Sequence, residues 1–263
     1  MKSFLEGTGF SPALFGGLAS VSFNFQLYVG QFSAGKDVPP EEWNGDQASI
    51  GVTQEVELNI VVYPTDQAHR VADVDFQQWV MGDEQSKLMG NHRVWVPCDS
   101  KPAIMAGEEL FGEPKFFTSF KVNLPSFNPL RAASPTSAPD APYRPVWENS
   151  WGFRVNDPED KNLPIFTCIA DMSGRVSVPG NISSITEYGK HDGRAIGCRW
   201  NILQPLQTYF FSPEEPDPVK LTIGPSQHQM AQDMKTLLAG ARAQAVQTFV
   251  SSPVAIQSRA YFL

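Results

Sequence analysis

Ser100 to Phe117 reads Ser-Lys-Pro-Ala-Ile-Met-Ala-Gly-Glu-Glu-Leu-Phe-Gly-Glu-Pro-Lys-Phe-Phe. A small apolar run, Pro102 to Gly107, gives way to two glutamates and a glycine, and then to Glu113-Pro114-Lys115-Phe116-Phe117. One lysine therefore follows a proline and precedes two phenylalanines. Proline holds its own φ near about −65° and so helps to aim the side chain that follows. Apolar surroundings disfavour an ammonium ion and lower a lysine pKa. A neutral amine attacks ketones and aldehydes and gives a Schiff base. A lysine after proline in a turn is equally an ordinary solvated residue, so the segment alone leaves both readings open.

Outward from this segment the chain alternates strand patterns with turn residues. Upstream, Leu18 to Val29 is rich in Val, Phe and Tyr, and Gln54 to Tyr63 (QEVELNIVVY) alternates polar with apolar before turning continuously apolar; both predict strands. The polar stretch from Gln31 to Asn44, with Pro39-Pro40, reads as a loop, and Phe76 to Met81 and His92 to Val96 are shorter strand candidates. Downstream, Asn123 to Pro145 carries six prolines and reads as a long surface excursion. Strands are predicted again at Trp151–Val155, Ile165–Asp171, Arg175–Val178, Ala195–Gln204, Leu206–Phe211 and Val219–Ile223. Ser226 and Gln229 form a capping-box pattern ahead of Met230, Met234, Leu237, Leu238, Ala241, Ala245 and Phe249 at helical spacing, which predicts a helix over 226–249. The expected class is α+β: a β-rich, mostly antiparallel core in one domain, residues 1–263, with a C-terminal helix.

The 263 residues carry 20 Lys+Arg against 28 Asp+Glu, a net charge of −8, so no broad basic stripe exists for a nucleic-acid backbone. No stretch of 18 or more apolar residues predicts a membrane helix, and the N-terminus does not read as a signal peptide. Three cysteines, Cys98, Cys168 and Cys198, have no CxxC spacing and read as reduced thiols of a cytoplasmic protein. The four histidines show no metal-ligand spacing, and neither a dinucleotide nor a P-loop glycine pattern occurs.

Pro102-Ala103, Gly107, Glu109-Leu110, Gly112 and Pro114-Lys115 resemble, in ungapped register, the segment around the Schiff-base lysine of the acetoacetate decarboxylase-like family. Asp217-Pro218-Val219-Lys220, followed by Ser226-Gln227-His228, is similar to the family's closing strand and helix entry. The resemblance covers roughly two thirds of the chain, from about Val21 to Leu238. It implies a closed antiparallel barrel or cone with its pocket inside, a homo-oligomer, no cofactor, and Lys115 as the Schiff-base lysine. Glu57 matches the family's upstream glutamate, although its spacing to Lys115 requires an insertion; as an alternating-strand residue it is also simply outward-facing. Glu109 belongs to the matching motif. Asn24 stands where the family has a second carboxylate, Phe116 where true decarboxylases have a second lysine, Glu108 where Arg is usual and Glu113 where Tyr is usual. The family's arginine-bearing first strand has no counterpart, which leaves Arg154, Arg175, Arg194 and Arg199 as candidates to bind a substrate carboxylate.

Two functions follow. In the first, Lys115 condenses with a keto acid or related carbonyl compound, the iminium serves as electron sink, and the enzyme is a lyase of decarboxylating or aldol-and-dehydration type. Lys115 and Glu57 are then catalytic, with Phe116, Glu109 and Asn24 lining the substrate site. In the second, the chain is a non-catalytic member of the same fold that binds a small ligand or serves as a scaffold, with Lys115 exposed or satisfied by a salt bridge, for example to Glu113.

Overall fold

The structure is a computed structural model that describes residues 1–31, 49–83, 86–125, 130–131, 145–146, 149–181, 185–201, 205–250 and 256–263. Its main sheet grows from the strand Ser49–Pro64. This strand pairs antiparallel with Val21–Gln31 over most of its length, with Phe10–Pro12 at its end, and with Gly90–Cys98 on its other side. Gly90–Cys98 pairs in parallel with Lys115–Phe117 and with Ile185–His191. Ile185–His191 pairs antiparallel with Arg194–Asn201, which takes Ile256–Gln257 and Tyr261–Phe262 on its outer edge. Among the described residues no pairing joins the two ends of this ladder, so the structure shows a strand-rich sheet without showing the closed barrel that the resemblance implies.

A second antiparallel sheet runs Val219–Ile223, Pro164–Asp171, Ser150–Asn156, Phe120–Asn123. A third joins Val178–Asn181, Pro205–Phe210 and Ala245–Thr248. The period-two pattern of the long strand explains how the first two pack. Val56, Leu58, Ile60 and Val62 share one face and meet Phe153, Val155, Ile165 and Phe166 of the second sheet together with Met230, Met234 and Leu237 of a helix. Burying each such side chain contributes about 1.5–3 kcal/mol. The alternate residues Thr53, Glu55, Glu57 and Asn59 are buried as well, on the opposite face. Glu57 is therefore not an outward-facing residue of a half-solvated strand.

Local chemistry sets the helices. Ser100 caps Lys101–Phe111 by accepting from the Ala103 backbone N–H, Pro102 sits in its first turn, and Gly112 ends it in a left-handed conformation at φ 60°. Phe76–Val80 is a short helix rather than a strand, because Asp75 and Gln78 form a reciprocal capping box. The C-terminal helix is shorter than its apolar period suggests. It spans Gln229–Leu238 and stops where Ala239 (φ 46°) and Gly240 (φ 78°) turn left-handed. Ala245, predicted helical, instead begins the strand Ala245–Thr248. Its cap also differs from the expected box: His228 Nδ1 accepts from the Met230 N–H, while Ser226 accepts from the His228 N–H and donates to Asp157.

Most of the proline-rich segment lies outside the described residues. Its first residue, Asn123, ends the strand Phe120–Asn123, and within it Leu130–Arg131 pairs antiparallel with Pro145–Val146. No helix among the described residues is long and apolar enough to cross a membrane.

Candidate functional site

The face of the main sheet opposite the apolar core carries a connected set of buried ions. Register places them. Asn24 lies across from Glu57 and Tyr28 across from Thr53; Glu55 faces Cys98, and Asn59 faces Arg93. The parallel ladder sets Lys115 beside Val96. Lys101–Phe111 closes over this face through Ala103, Ala106 and Gly107. Gly107 is there for space: a Cβ on it would lie 2.5 Å from both Glu113 Oε2 and Lys115 Cε.

Lys115 Nζ donates to Glu55 Oε2 at 2.5 Å and lies 2.9 Å from Glu113 Oε2, with its side chain 5% exposed. The other oxygen of Glu113 is 3.1 Å from Arg93 Nη1. Arg93 continues the network through Nη2 to Glu187 and through Nε to Glu57 Oε1 at 3.5 Å. Tyr28 donates to Glu55 at 3.1 Å. Asn24 and Asn59 donate to Glu57 Oε2 at 3.3 and 3.1 Å, and Gln257 donates to Glu187 at 3.2 Å. Four carboxyl groups thus surround two cations.

The protonation states follow from this crowding. Burial pushes the Glu57 carboxyl up to about 8, with the Glu187 charge adding and Arg93 only partly offsetting, so Glu57 keeps its proton at neutral pH. Burial also raises Glu187, against the pull of Arg93. Burial would raise Glu113 too, but Arg93 and Lys115 outweigh it and hold that carboxylate below its usual range. For Lys115 the outcome reverses the sequence expectation. Burial favours the neutral amine, yet Glu113 and Glu55 in direct contact outweigh it and hold the ammonium well above the ordinary lysine range. Apolar flanking residues predicted a lowered pKa; Glu113, two residues before the lysine, and Glu55 from the long strand decide it.

Of the residues singled out from the sequence, Lys115, Glu57 and Asn24 come together in the network. Glu57 does not contact the amine; Glu55, two residues earlier on the same face, does. Glu109 is exposed on the outer side of its helix. Phe116 points to the opposite face, where it stacks on His228 at 4.5 Å between ring centroids and meets Trp95 edge-on. Arg154 is held by Asn156 and the Asn162 carbonyl, Arg175 by Glu215, and Arg194 lies over Phe262. The arginine at the site is Arg93. Its signal in the sequence is a cation directly before the apolar run Val94-Trp95-Val96 of the strand Gly90–Cys98. Glu55 shares the parity of Glu57, but nothing local marks Glu187 or Tyr28.

A cleft of about 250 Å³ opens beside the network. Phe4, His92, Tyr188 and Lys190 line it with Arg93 and Glu113, so it reaches one of the two carboxylates that hold Lys115 but neither Glu55 nor Lys115 itself. Among the described residues no group of His, Cys, Asp or Glu is arranged to hold a metal ion.

No family model and no curated protein matches the chain. Solved structures do. An acetoacetate decarboxylase-like enzyme from Sphingomonas wittichii RW1 aligns over 94% of this chain and 79% of its own, at 14% identity and a TM-score of 0.47. An acetoacetate decarboxylase aligns over 92% and 86%, at 15% identity and a TM-score of 0.42. The enduracididine biosynthesis enzyme MppR, complexed with pyruvate, aligns over 86% and 82%, at 11% identity and a TM-score of 0.33. Likenesses this distant carry no inference about the chemistry of this chain, which its own residues must supply.

Proposed function

We propose that this protein is a divergent relative of the acetoacetate decarboxylase-like proteins and a carbon–carbon lyase that forms a Schiff base at Lys115 with a small carbonyl compound. The observation that carries this reading is the buried Lys115 amine, 2.5 Å from Glu55 and 2.9 Å from Glu113, at the end of the Pro102 to Lys115 motif. Condensation converts an ammonium and a carbonyl into a protonated imine and water. The charge on nitrogen is the same before and after, so the carboxylates that hold the ammonium also hold the iminium. The nucleophile is the amine left when the ammonium passes a proton to Glu55 or Glu113. The iminium then accepts the electron pair of a breaking bond at the neighbouring carbon, and no cofactor is required for that step. Glu57, protonated at neutral pH and one link away through Arg93, serves as a proton reservoir for the enamine. Asn24 positions Glu57. The homo-oligomer and the cytoplasmic location belong to this proposal too.

The same ion pairs favour a second reading. A lysine so held is stable as an ammonium, as expected of a non-catalytic ligand-binding or scaffold protein. Reductive trapping with borohydride across a pH series separates the two. Because Glu55 and Glu113 hold the Lys115 pKa high, the reactive fraction of amine rises by about tenfold per pH unit below that pKa, and trapping accelerates steadily from pH 7 to 9. Absence of an adduct at every pH, with a panel of ketones, aldehydes and keto acids, sinks the lyase reading in favour of the binding protein.

A further inference from the structure

Granting the Schiff base at Lys115, we propose that the carbonyl compound reaches the amine through the cleft beside the network, with Glu113 as the gate and the cleft walls selecting a compact apolar group next to the carbonyl. The ladders locate the opening. Gly90–Cys98 pairs with Ile185–His191 at Asn91 and His92, and with Lys115–Phe117 from Val96 onward. On that edge the two parallel neighbours part at Arg93, Val94 and Trp95. On the other edge Asn59 faces Arg93 and Leu58 faces Trp95, which makes Val94 an extra residue, a β-bulge. Residues two apart on a regular strand share a face. Here the bulge sends Arg93 to the ions and Trp95 to the apolar core. The cleft lies at this split and takes its walls from both sides of the sheet, Tyr188 from the apolar side and Arg93 with Glu113 from the ionic side. It is a slot that ends one carboxylate short of the lysine, because Glu113 Oε2 is 2.9 Å from Lys115 Nζ.

The main chain beside the slot is fixed, which leaves a side chain to act as the gate. A Cβ on Gly112 would collide with the Lys190 carbonyl oxygen, and one on Gly189 with that of Phe111, so these segments pack main chain on main chain. Glu113 bridges two cations, Lys115 through Oε2 and Arg93 through Oε1 at 3.1 Å. When Lys115 gives its proton to Glu55, Glu113 loses one cation and keeps the other. It swings off the amine while staying ionised on Arg93, and the amine lone pair then meets the carbonyl carbon arriving through the slot. The walls decide what fits. Phe4, Val94, Pro114 and Tyr188 are apolar or aromatic, and burial keeps His92 neutral by pushing its pKa down to about 4. Lys190 is exposed and donates to the Gly7 carbonyl. A cavity of about 150 Å³ takes up benzene, so one of about 250 Å³ has room for a six-membered ring.

Two neutral ketones of different width test the inference. Borohydride trapping at Lys115 is measured at one pH with acetone and with cyclohexanone, in the parent and in variants whose urea titrations show that they fold. The readout is the cyclohexanone-to-acetone rate ratio, in which intrinsic ketone reactivity is common to all the proteins. Val94→Phe fills the slot from within and should lower the ratio by about tenfold, whereas Phe4→Ala widens it and should raise the ratio by a similar factor. Either variant suffices where the other does not fold, since the expected signs are opposite. A ratio unmoved in a folded variant places entry elsewhere, as beneath the helix Lys101–Phe111, and overturns the inference while the adduct on Lys115 leaves the Schiff base standing. No adduct on Lys115 with either ketone in the parent removes the Schiff base itself, and the route falls with it.

Discussion

Glu57 and Glu113 are buried in one network, both in contact with Arg93, yet their protons behave oppositely. Glu57 sits near 8, above its unfolded value of 4.5. Between those two pH values the unfolded chain has lost a proton that the folded chain keeps, so stability falls as pH rises through that window. Glu57→Gln removes this dependence. Its stability relative to the parent should improve by about 1 kcal/mol or more between pH 5 and pH 8, measured by urea titration at both. A pH-independent difference would show that Glu57 is ionised. Glu113 is held below its usual range by Arg93 and Lys115, so its stabilising effect is present at neutral pH and is lost only as acid protonates it. Glu113→Gln leaves two buried cations short of a carboxylate and should cost about 3–5 kcal/mol at pH 7. A cost below that of Glu57→Gln at the same pH would contradict the network as described.

Among the elements, the helix Lys101–Phe111 decides whether Lys115 can sit where it does. Replacing glycine with alanine inside a helix ordinarily favours the helix by about 1 kcal/mol. At Gly107 the added methyl would press on Lys115 and Glu113, so Gly107→Ala should instead destabilise by about 1–3 kcal/mol and slow trapping at Lys115. A stabilised variant with unchanged trapping would show that the helix does not close over the lysine. In the helix Gln229–Leu238, Met234 is fully buried and Met234→Ala should cost about 2–5 kcal/mol. These elements also show what the sequence could reveal. Val219–Ile223 is a strand as its alternation predicts, and the helix begins close to where Met230 and Met234 place it. Its end was hidden because Ala241, Ala245 and Phe249 happen to continue the period beyond a left-handed turn at Ala239 and Gly240, which periodicity does not register. Parity put Glu55 and Glu57 on one face, but burial of that polar face depends on partners from distant strands. Arg93 and Glu187 are 94 residues apart and meet only through the parallel ladder between their strands.

At the scale of the whole molecule, the main sheet is a divider with an apolar core on one side and a sealed set of ions on the other. Its cysteines are free, and burial pushes Cys98 and Cys168 up to about 12 and Cys198 up to about 11. A thiol reagent at pH 8 should find almost no reactive thiol in the native protein and three after denaturation without reductant; fewer than three would reveal a disulfide. A molecule so closed offers a carbonyl compound one amine sealed from solvent, whereas its other described lysines are exposed, apart from the half-buried Lys87. The decisive measurement is therefore where a reduced adduct lands. Native protein is treated with hydroxyacetone and borohydride, digested and mapped by mass spectrometry, beside Lys115→Ala and Lys115→Arg. The adduct should sit on Lys115 and be missing from both variants, since guanidinium stays protonated and does not condense. Adduct of equal yield in the variants, or spread evenly over surface lysines, would contradict Schiff-base chemistry at this site.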